Sequence, residues 1–303
     1  MNPFKQLIVL LLKFVGIFTL ARARKNLYIP KVRIESEIDQ GNIKALNIFG
    51  GYLIWRYSLT RLKSRINDEF VYDIKVDDLD FKMTFLDYPF NDPINQRIEG
   101  IREPQTTSII RSIVRDGSNV LELGGCYGYF TTIMANCVGK SGKVVSIEGT
   151  PNNFEILSKN MKLNNLNNVE LYQLFIIADE GGGNVFFGSE ERHAYKVIET
   201  LRQEESFNNS EDKVAVPCIQ VTSFLDDIDF KPDCIFMDIE GSEIDVFQDF
   251  SNGYLKKARP TVVFEIHEGF YSNGKDLNFI KNILKANNYY YRRVHCNLVC
   301  LPH

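Results

Sequence analysis

The residues with the most chemistry to offer fall in two short stretches of a 303-residue chain. "DIEGSE" gathers Asp238, Glu240 and Glu243, and "FEIHEG" places Glu265 and His267 two apart. Both stretches follow apolar runs, "CIFM" and "TVVF", that read as buried strands, so acids and a histidine would stand at neighbouring strand ends. Alternation puts Asp238 with Glu240 on one face, and likewise Glu265 with His267. Such a cluster has two uses. It binds Mg²⁺ through oxygen ligands, from Asp238, Glu240 and Glu265, or it shifts a pKa enough to give a base for a hydroxyl proton. In the second case His267 or Asp238 is the base, with Glu240 and Glu265 as orienting groups or ligands. Glu243 suits a plainer role, as the acid in the first turn of the next helix.

A second constellation lies in "LELGGCYGYF", where an apolar run ends at Glu122 and is followed by Gly124, Gly125 and Gly128. Glycines there let a backbone approach a ligand closely. A dinucleotide fingerprint reads G-x-G-x-x-G, whereas this loop reads G-G-x-x-G. The next strand, "KVVSIE", ends in Glu148, an acid placed to accept bonds from both hydroxyls of a ribose. Glu122 would face a positive end of the ligand, and the rings of Tyr127, Tyr129 and Phe130 suit a cation as well. Adenosine joined to positive charge describes S-adenosylmethionine (SAM) better than NAD.

These residues need strands and helices in alternation to position them, and the chain supplies them from Asn119 onward. Strands are predicted at 119–123, 143–148, 169–176, 183–188, 213–221, 234–239 and 261–266. Helices are predicted from Tyr127, from Pro151 (a residue suited to a first turn), over "SEIDVFQDF" and over 276–287. Two terminal strands, "YYYRRV" and "LVCLP", close the chain as an antiparallel edge. This rhythm predicts an α/β fold with a doubly wound, mostly parallel sheet. In such a sheet ligands sit beyond the carboxyl ends of the strands. Upstream, residues 43–66 read as helical material broken near Gly50, 78–86 as a strand, and "TTSIIRSIVRDG" as a helix ending near Gly117. Residues 188–212 read as a polar loop, with His193 as a solvated loop residue or part of a substrate lid.

"VLELGGCYGYFTT", "VVSIEGTPNNFEILSKNMKLNN", "FMDIEGSEIDVF" and "RPTVVFEIHEG" together resemble the FkbM-type SAM-dependent methyltransferases, over about residues 100 to 302. The resemblance implies a class I methyltransferase (Rossmann-like) fold and O-methylation of a sugar or small metabolite. It implies that Glu122, Gly124, Gly128 and Glu148 line the cofactor, joined by Gly125 and Tyr127 of the same loop. It also implies that Leu174 to Ile176, with Phe175 at the centre, flank the adenine. Two departures stand out: Gly125 where the family usually has Ala, and Phe236 where a Lys often precedes the Asp.

Composition sets the outer bounds. A net charge of -4 gives no global basic field, which argues against nonspecific nucleic-acid binding. Six cysteines without a CxxC pair read as reduced thiols of a cytoplasmic protein. Residues 5–25 hold an apolar stretch, Leu7 to Ala21, interrupted by Lys13 and followed by Arg22, Arg24 and Lys25. It reads either as a membrane-interface anchor on the cytoplasmic face or as a helix docked on protein. The expected organisation is an N-terminal helix (1–25), a helical and strand extension (26–99) and a methyltransferase domain (100–303). The expected acceptor is a small-molecule, glycan or lipid-linked hydroxyl. The rival readings are an NAD(P)-dependent oxidoreductase and a non-catalytic, membrane-tethered Rossmann-like protein.

Overall fold

A computed structural model of the chain describes residues 62–66, 69–85, 92–178, 183–188, 213–271 and 274–303. Two compact units divide between Asp68 and Glu69. In the first, the described element is strand β1 (Leu62–Ile66). The helix predicted through residue 66 is therefore wrong at its end: in "LKSRI" the basic Lys63 and Arg65 alternate with Leu62, Ser64 and Ile66 at the two-residue period of a strand.

The second unit opens with a hairpin, β2 (Glu69–Val76) and β3 (Leu79–Thr84), paired antiparallel from Val76↔Leu79 to Val71↔Thr84. Helices α1 (Asp92–Ile98) and α2 (Pro104–Ile113) follow. Then come β4 (Asn119–Leu123), α3 (Tyr129–Val138), β5 (Lys143–Ile147), α4 (Pro151–Leu163) and β6 (Val169–Tyr172). The strand predicted over 169–176 is broken. After Tyr172 the chain leaves the main sheet, and β7 (Phe175–Ile176) pairs instead with β9 (Lys213–Ile219). That strand also pairs with β8 (Asn184–Gly188), around a small core of Phe175, Val185, Phe187 and Val216. The chain closes with α5 (Val221–Asp227), β10 (Cys234–Met237), α6 (Glu243–Phe250), α7 (Tyr254–Ala258), β11 (Thr261–Glu265), α8 (Leu277–Ala286), β12 (Tyr289–Val294) and β13 (Asn297–Pro302).

The main sheet runs β12-β13-β11-β10-β4-β5-β6. Its inner strands are parallel, and β13 is antiparallel to both β11 and β12. The antiparallel strand thus lies one place inside the edge. Chain order reverses at β4, which has β5 on one side and β10 on the other, so the switch point lies at the carboxyl ends of β4 and β10.

Both sheet faces are covered, which explains why the central strands are apolar throughout. Leu121, Leu123, Ile235, Met237, Val262 and Phe264 join the core under α5, α6 and α8. Val120, Cys234, Phe236 and Val263 join the opposite core, under α2, α3 and the hairpin. Period two then places Glu122 on this second face as well.

The hairpin is fastened to α4 by two asparagines one helical turn apart. Asn160 Oδ1 accepts from Thr84 N–H at 2.8 Å, and its amide donates to the Thr84 carbonyl at 3.1 Å. Asn164 does the same to Lys82, at 2.7 and 2.6 Å. The four-residue step on the helix matches the two-residue step on the strand, so two side-chain amides stand in for a neighbouring strand. The Asn160 amide also donates to the Tyr127 carbonyl at 2.7 Å, which carries the clamp to the glycine loop.

Candidate active site

At the end of β4 the chain must pass under β10. Gly124 sits at φ +93°, and a Cβ there would lie 2.1 Å from the Asp238 carbonyl oxygen, so only glycine fits. At Gly125 a Cβ would meet Ser146 Oγ at 2.5 Å, which accounts for glycine where the resembled family carries alanine. Ser146 is engaged there: its hydroxyl and that of Thr131 both donate to Glu122 Oε2 at 2.5 Å. Burial pushes the Glu122 carboxyl up to about 7 despite these two bonds.

Glu148, at the end of β5, holds the other side of the loop. One carboxylate oxygen accepts from Cys126 N–H at 2.8 Å and the other from Thr150 N–H at 2.7 Å. Burial raises its pKa against these opposing hydrogen bonds. A cleft of about 1160 Å³ opens above the strand ends, lined by Gly124, Tyr127, Glu148, Phe175, Ile176 and Asp238 among others. The break after β6 is what turns Leu174, Phe175 and Ile176 into its wall. Two arginines from the segment between the hairpin and β4 line it too, Arg97 and Arg102. The Arg97 guanidinium lies 5.6 Å from the centre of the Tyr127 ring, and Arg102 pairs with Glu103. Sequence reasoning missed both, as well as Ser146 and Thr131, because nothing local marks a residue whose partner is far along the chain. Tyr129 turns away from the cleft and is 2% exposed, its ring against Phe81.

Beyond the cleft, at the ends of β10 and β11, stands the histidine. His267 Nδ1 is hydrogen-bonded to Glu243 Oε1 at 2.9 Å, and Nε2 faces Asp238 Oδ1 at 3.6 Å. Glu243 is fully buried and accepts from Ile239 N–H and Gly241 N–H at 3.2 and 3.0 Å, so its carboxylate cannot turn. Burial disfavours the charged imidazole, but the Glu243 bond and the charges of Glu243, Asp238 and Glu240 outweigh it and raise the pKa to about 9. The ring is therefore protonated at neutral pH in the ligand-free protein.

The alternation expected through Glu240 and His267 stops short, because β10 ends at Met237 and β11 at Glu265. Glu265 stays on the α2/α3 face and lines a smaller cavity of about 390 Å³ with Glu103 and Glu122. There burial, with Asp238 and Glu103 nearby, pushes it up to about 7. Glu122 likewise lines this cavity, which meets the cleft at Gly124 and Asp238. Among the described residues, the side chains that could share a cation are Asp238, Glu240 and His267, whose ligand atoms lie within 4.8 Å of one another. The expected set of Asp238, Glu240 and Glu265 thus gives way at its third member, because the turn after β11 brings His267 round while Glu265 stays in the sheet.

The six cysteines, Cys126, Cys137, Cys218, Cys234, Cys296 and Cys300, are all unpaired. Among the described residues no helix is long and apolar enough to cross a membrane. The apolar stretch at 5–25 and His193 lie outside the described residues.

The strand order, the single inward antiparallel strand and a glycine loop at the switch point define a class I methyltransferase fold. Residues 122–291, more than half of the chain, match the methyltransferase FkbM domain, and the chain belongs to that family of SAM-dependent methyltransferases. Neither the oxidoreductase nor the non-catalytic reading finds support in the comparisons. The chain is 40% identical over 58 residues to a protein-L-isoaspartate O-methyltransferase of Methanothrix thermoacetophila, covering 19% of this chain and 28% of that one. It is 34% identical over 89 residues to protein-L-isoaspartate O-methyltransferase 1 of Archaeoglobus fulgidus, covering 29% and 40%. The chain thus spans less than half the length of these curated relatives. Among solved structures, the O-methyltransferase from Bacillus cereus in complex with SAH matches at 15% identity, over 66% of this chain and 82% of that one, with a TM-score of 0.37.

Proposed function

We propose that the protein transfers a methyl group from SAM to a hydroxyl oxygen of a small polar acceptor such as a glycan. One observation carries this reading: a single cleft is lined at one side by Glu148 and the glycine loop and at the other by Asp238 and Glu240. When bound there, SAM supplies a methyl group made electrophilic by its sulfonium.

The chain's own residues do the rest. Glu148 lines the cleft where the ribose hydroxyls would lie, while its bonds from Cys126 N–H and Thr150 N–H hold the loop in place. Phe175 and Ile176 give the adenine an apolar wall. Gly124 lets the methionine tail lie against backbone. An acceptor oxygen must approach the methyl in line and lose its proton as the bond forms. Asp238, the exposed member of the cluster at 41%, takes that proton. With no ion at the cluster the charges of Glu243 and Asp238 favour the protonated His267 ring, which then acts beside Asp238 as an orienting cation.

The test is calorimetric titration of S-adenosylhomocysteine (SAH) into the full chain and into Glu148→Ala. Expected is micromolar binding, about 8 kcal/mol, that weakens at least tenfold in the variant. Folded protein that does not bind SAH would end this reading.

A further inference from the structure

We infer that Asp238, Glu240 and His267 form a divalent-cation site of the Mn²⁺ or Zn²⁺ type, open to the cofactor cleft. The inference rests on the methyltransferase reading only for what the ion would do. The ligand atoms converge from two strand ends to within 4.8 Å of one another. Carboxylates alone would carry little weight. The imidazole changes that, because of how it is held.

Its Nδ1 is taken by Glu243, a carboxylate with 0% exposure that is itself pinned by Ile239 N–H and Gly241 N–H. A histidine whose far nitrogen is fixed by a buried carboxylate is the arrangement that orients an imidazole toward a metal and makes it more basic. The other nitrogen, Nε2, lies 3.6 Å from Asp238 Oδ1 and gives up its proton when an ion binds. That gap is too long for a hydrogen bond. It is close to the roughly 3–3.5 Å that separates two ligands each about 2.1 Å from a shared ion.

The donor set also selects the ion. Mg²⁺ prefers all-oxygen ligands and keeps its waters. One imidazole with two carboxylates suits Mn²⁺ or Zn²⁺ better. Three protein ligands leave coordination positions free, and since Asp238 and Glu240 line the cleft, those positions face it. An acceptor with two adjacent oxygens, such as a vicinal diol, would fill two of them.

Mn²⁺ titration followed by the paramagnetic resonance of the free ion tests this on the full chain, beside SAH calorimetry on the same samples. Expected is one Mn²⁺ per chain in the wild type, at least tenfold weaker binding in His267→Ala and in Glu240→Gln, and ten- to a hundredfold weaker binding in Glu243→Gln. SAH binding should survive in His267→Ala, since that side chain does not line the cleft, and this shows the variant folded. A wild type that binds SAH but neither Mn²⁺ nor Zn²⁺ overturns the ion site. So does Mn²⁺ binding unchanged in His267→Ala. Mn²⁺ binding lost in a His267→Ala variant whose circular dichroism and urea unfolding match the wild type supports the site even if SAH fails to bind, and that failure would count against the cofactor reading and the diol alone.

Discussion

Replacing Gly124 with alanine should disturb both the fold and the site, and the structure allows the two causes to be separated. The residue sits at φ +93°, where an L side chain costs roughly 1–2 kcal/mol. The new Cβ would also lie 2.1 Å from the Asp238 carbonyl oxygen and 3.0 Å from its carbon. Neither backbone can simply swing aside. Asp238 N–H is bonded to the Leu123 carbonyl at 3.0 Å, and Gly124 N–H to the Ile147 carbonyl at 2.8 Å. The ends of β4 and β10 must part by about 1 Å, an overpacking that costs about 1–3 kcal/mol more. The sum is about 4 kcal/mol. Gly253 supplies the control, with φ +98° and nothing within 4 Å of its Cβ position, so Gly253→Ala carries the conformational cost alone. Urea unfolding of both variants should show Gly124→Ala less stable than Gly253→Ala by about 2 kcal/mol, with SAH binding impaired only in Gly124→Ala. Equal losses of stability, with SAH binding intact in both, would refute the argument that this glycine is required by a close approach of two strands.

Other perturbations follow from the same geometry. Asn160→Leu strips three hydrogen bonds from buried backbone groups and should cost on the order of 3 kcal/mol, with faster hydrogen exchange at the Thr84 amide; normal protection there would dismiss the clamp. Glu122→Gln should change the pH dependence of stability. The folded pKa lies near 7, above the ordinary 4.5, so its stabilising effect is complete below about 4.5 and is lost as pH rises through 7, on the order of 3 kcal/mol. The uncharged variant should therefore lose less stability between pH 5 and pH 8, and parallel curves for the two proteins would contradict the burial argument.

The parts of the fold that were legible in the sequence are those that periodicity controls. Central strands buried on both faces appear as unbroken apolar runs, and β4, β5, β10 and β11 lie within two residues of where the runs place them. Three features escaped because their causes are not local. β2 was not predicted, since "EFVYDIKV" declares itself only through its partner β3. The run at 169–176 reads as one strand, but pairing with β9, more than forty residues later, divides it. Asn160 and Asn164 look like ordinary helix-surface residues until the strand they bind is in place. In the candidate site, the identities of the acids were legible and their directions were not. A strand's alternation holds only while the strand lasts, and Asp238, Glu240 and His267 all lie past the last paired positions, Met237 and Glu265.

That distinction bears on what an acid at a strand end is for. Glu122, Glu148 and Asp238 all follow apolar runs and look alike in sequence, yet each spends its charge differently. Glu122 gives one oxygen to two hydroxyls beneath the glycine loop, which makes it a latch between β4, β5 and α3. Glu148 accepts one backbone bond on each oxygen and lines the cleft at the edge of the glycine loop. Asp238 is the exposed one, at 41%, facing an imidazole across a gap that no direct hydrogen bond fills. Exposure is by far the greatest at Asp238, and with it the fitness of the group to act on something that comes and goes. An acid buried among protein donors holds the site together, and an acid left at the open cleft is available to a ligand.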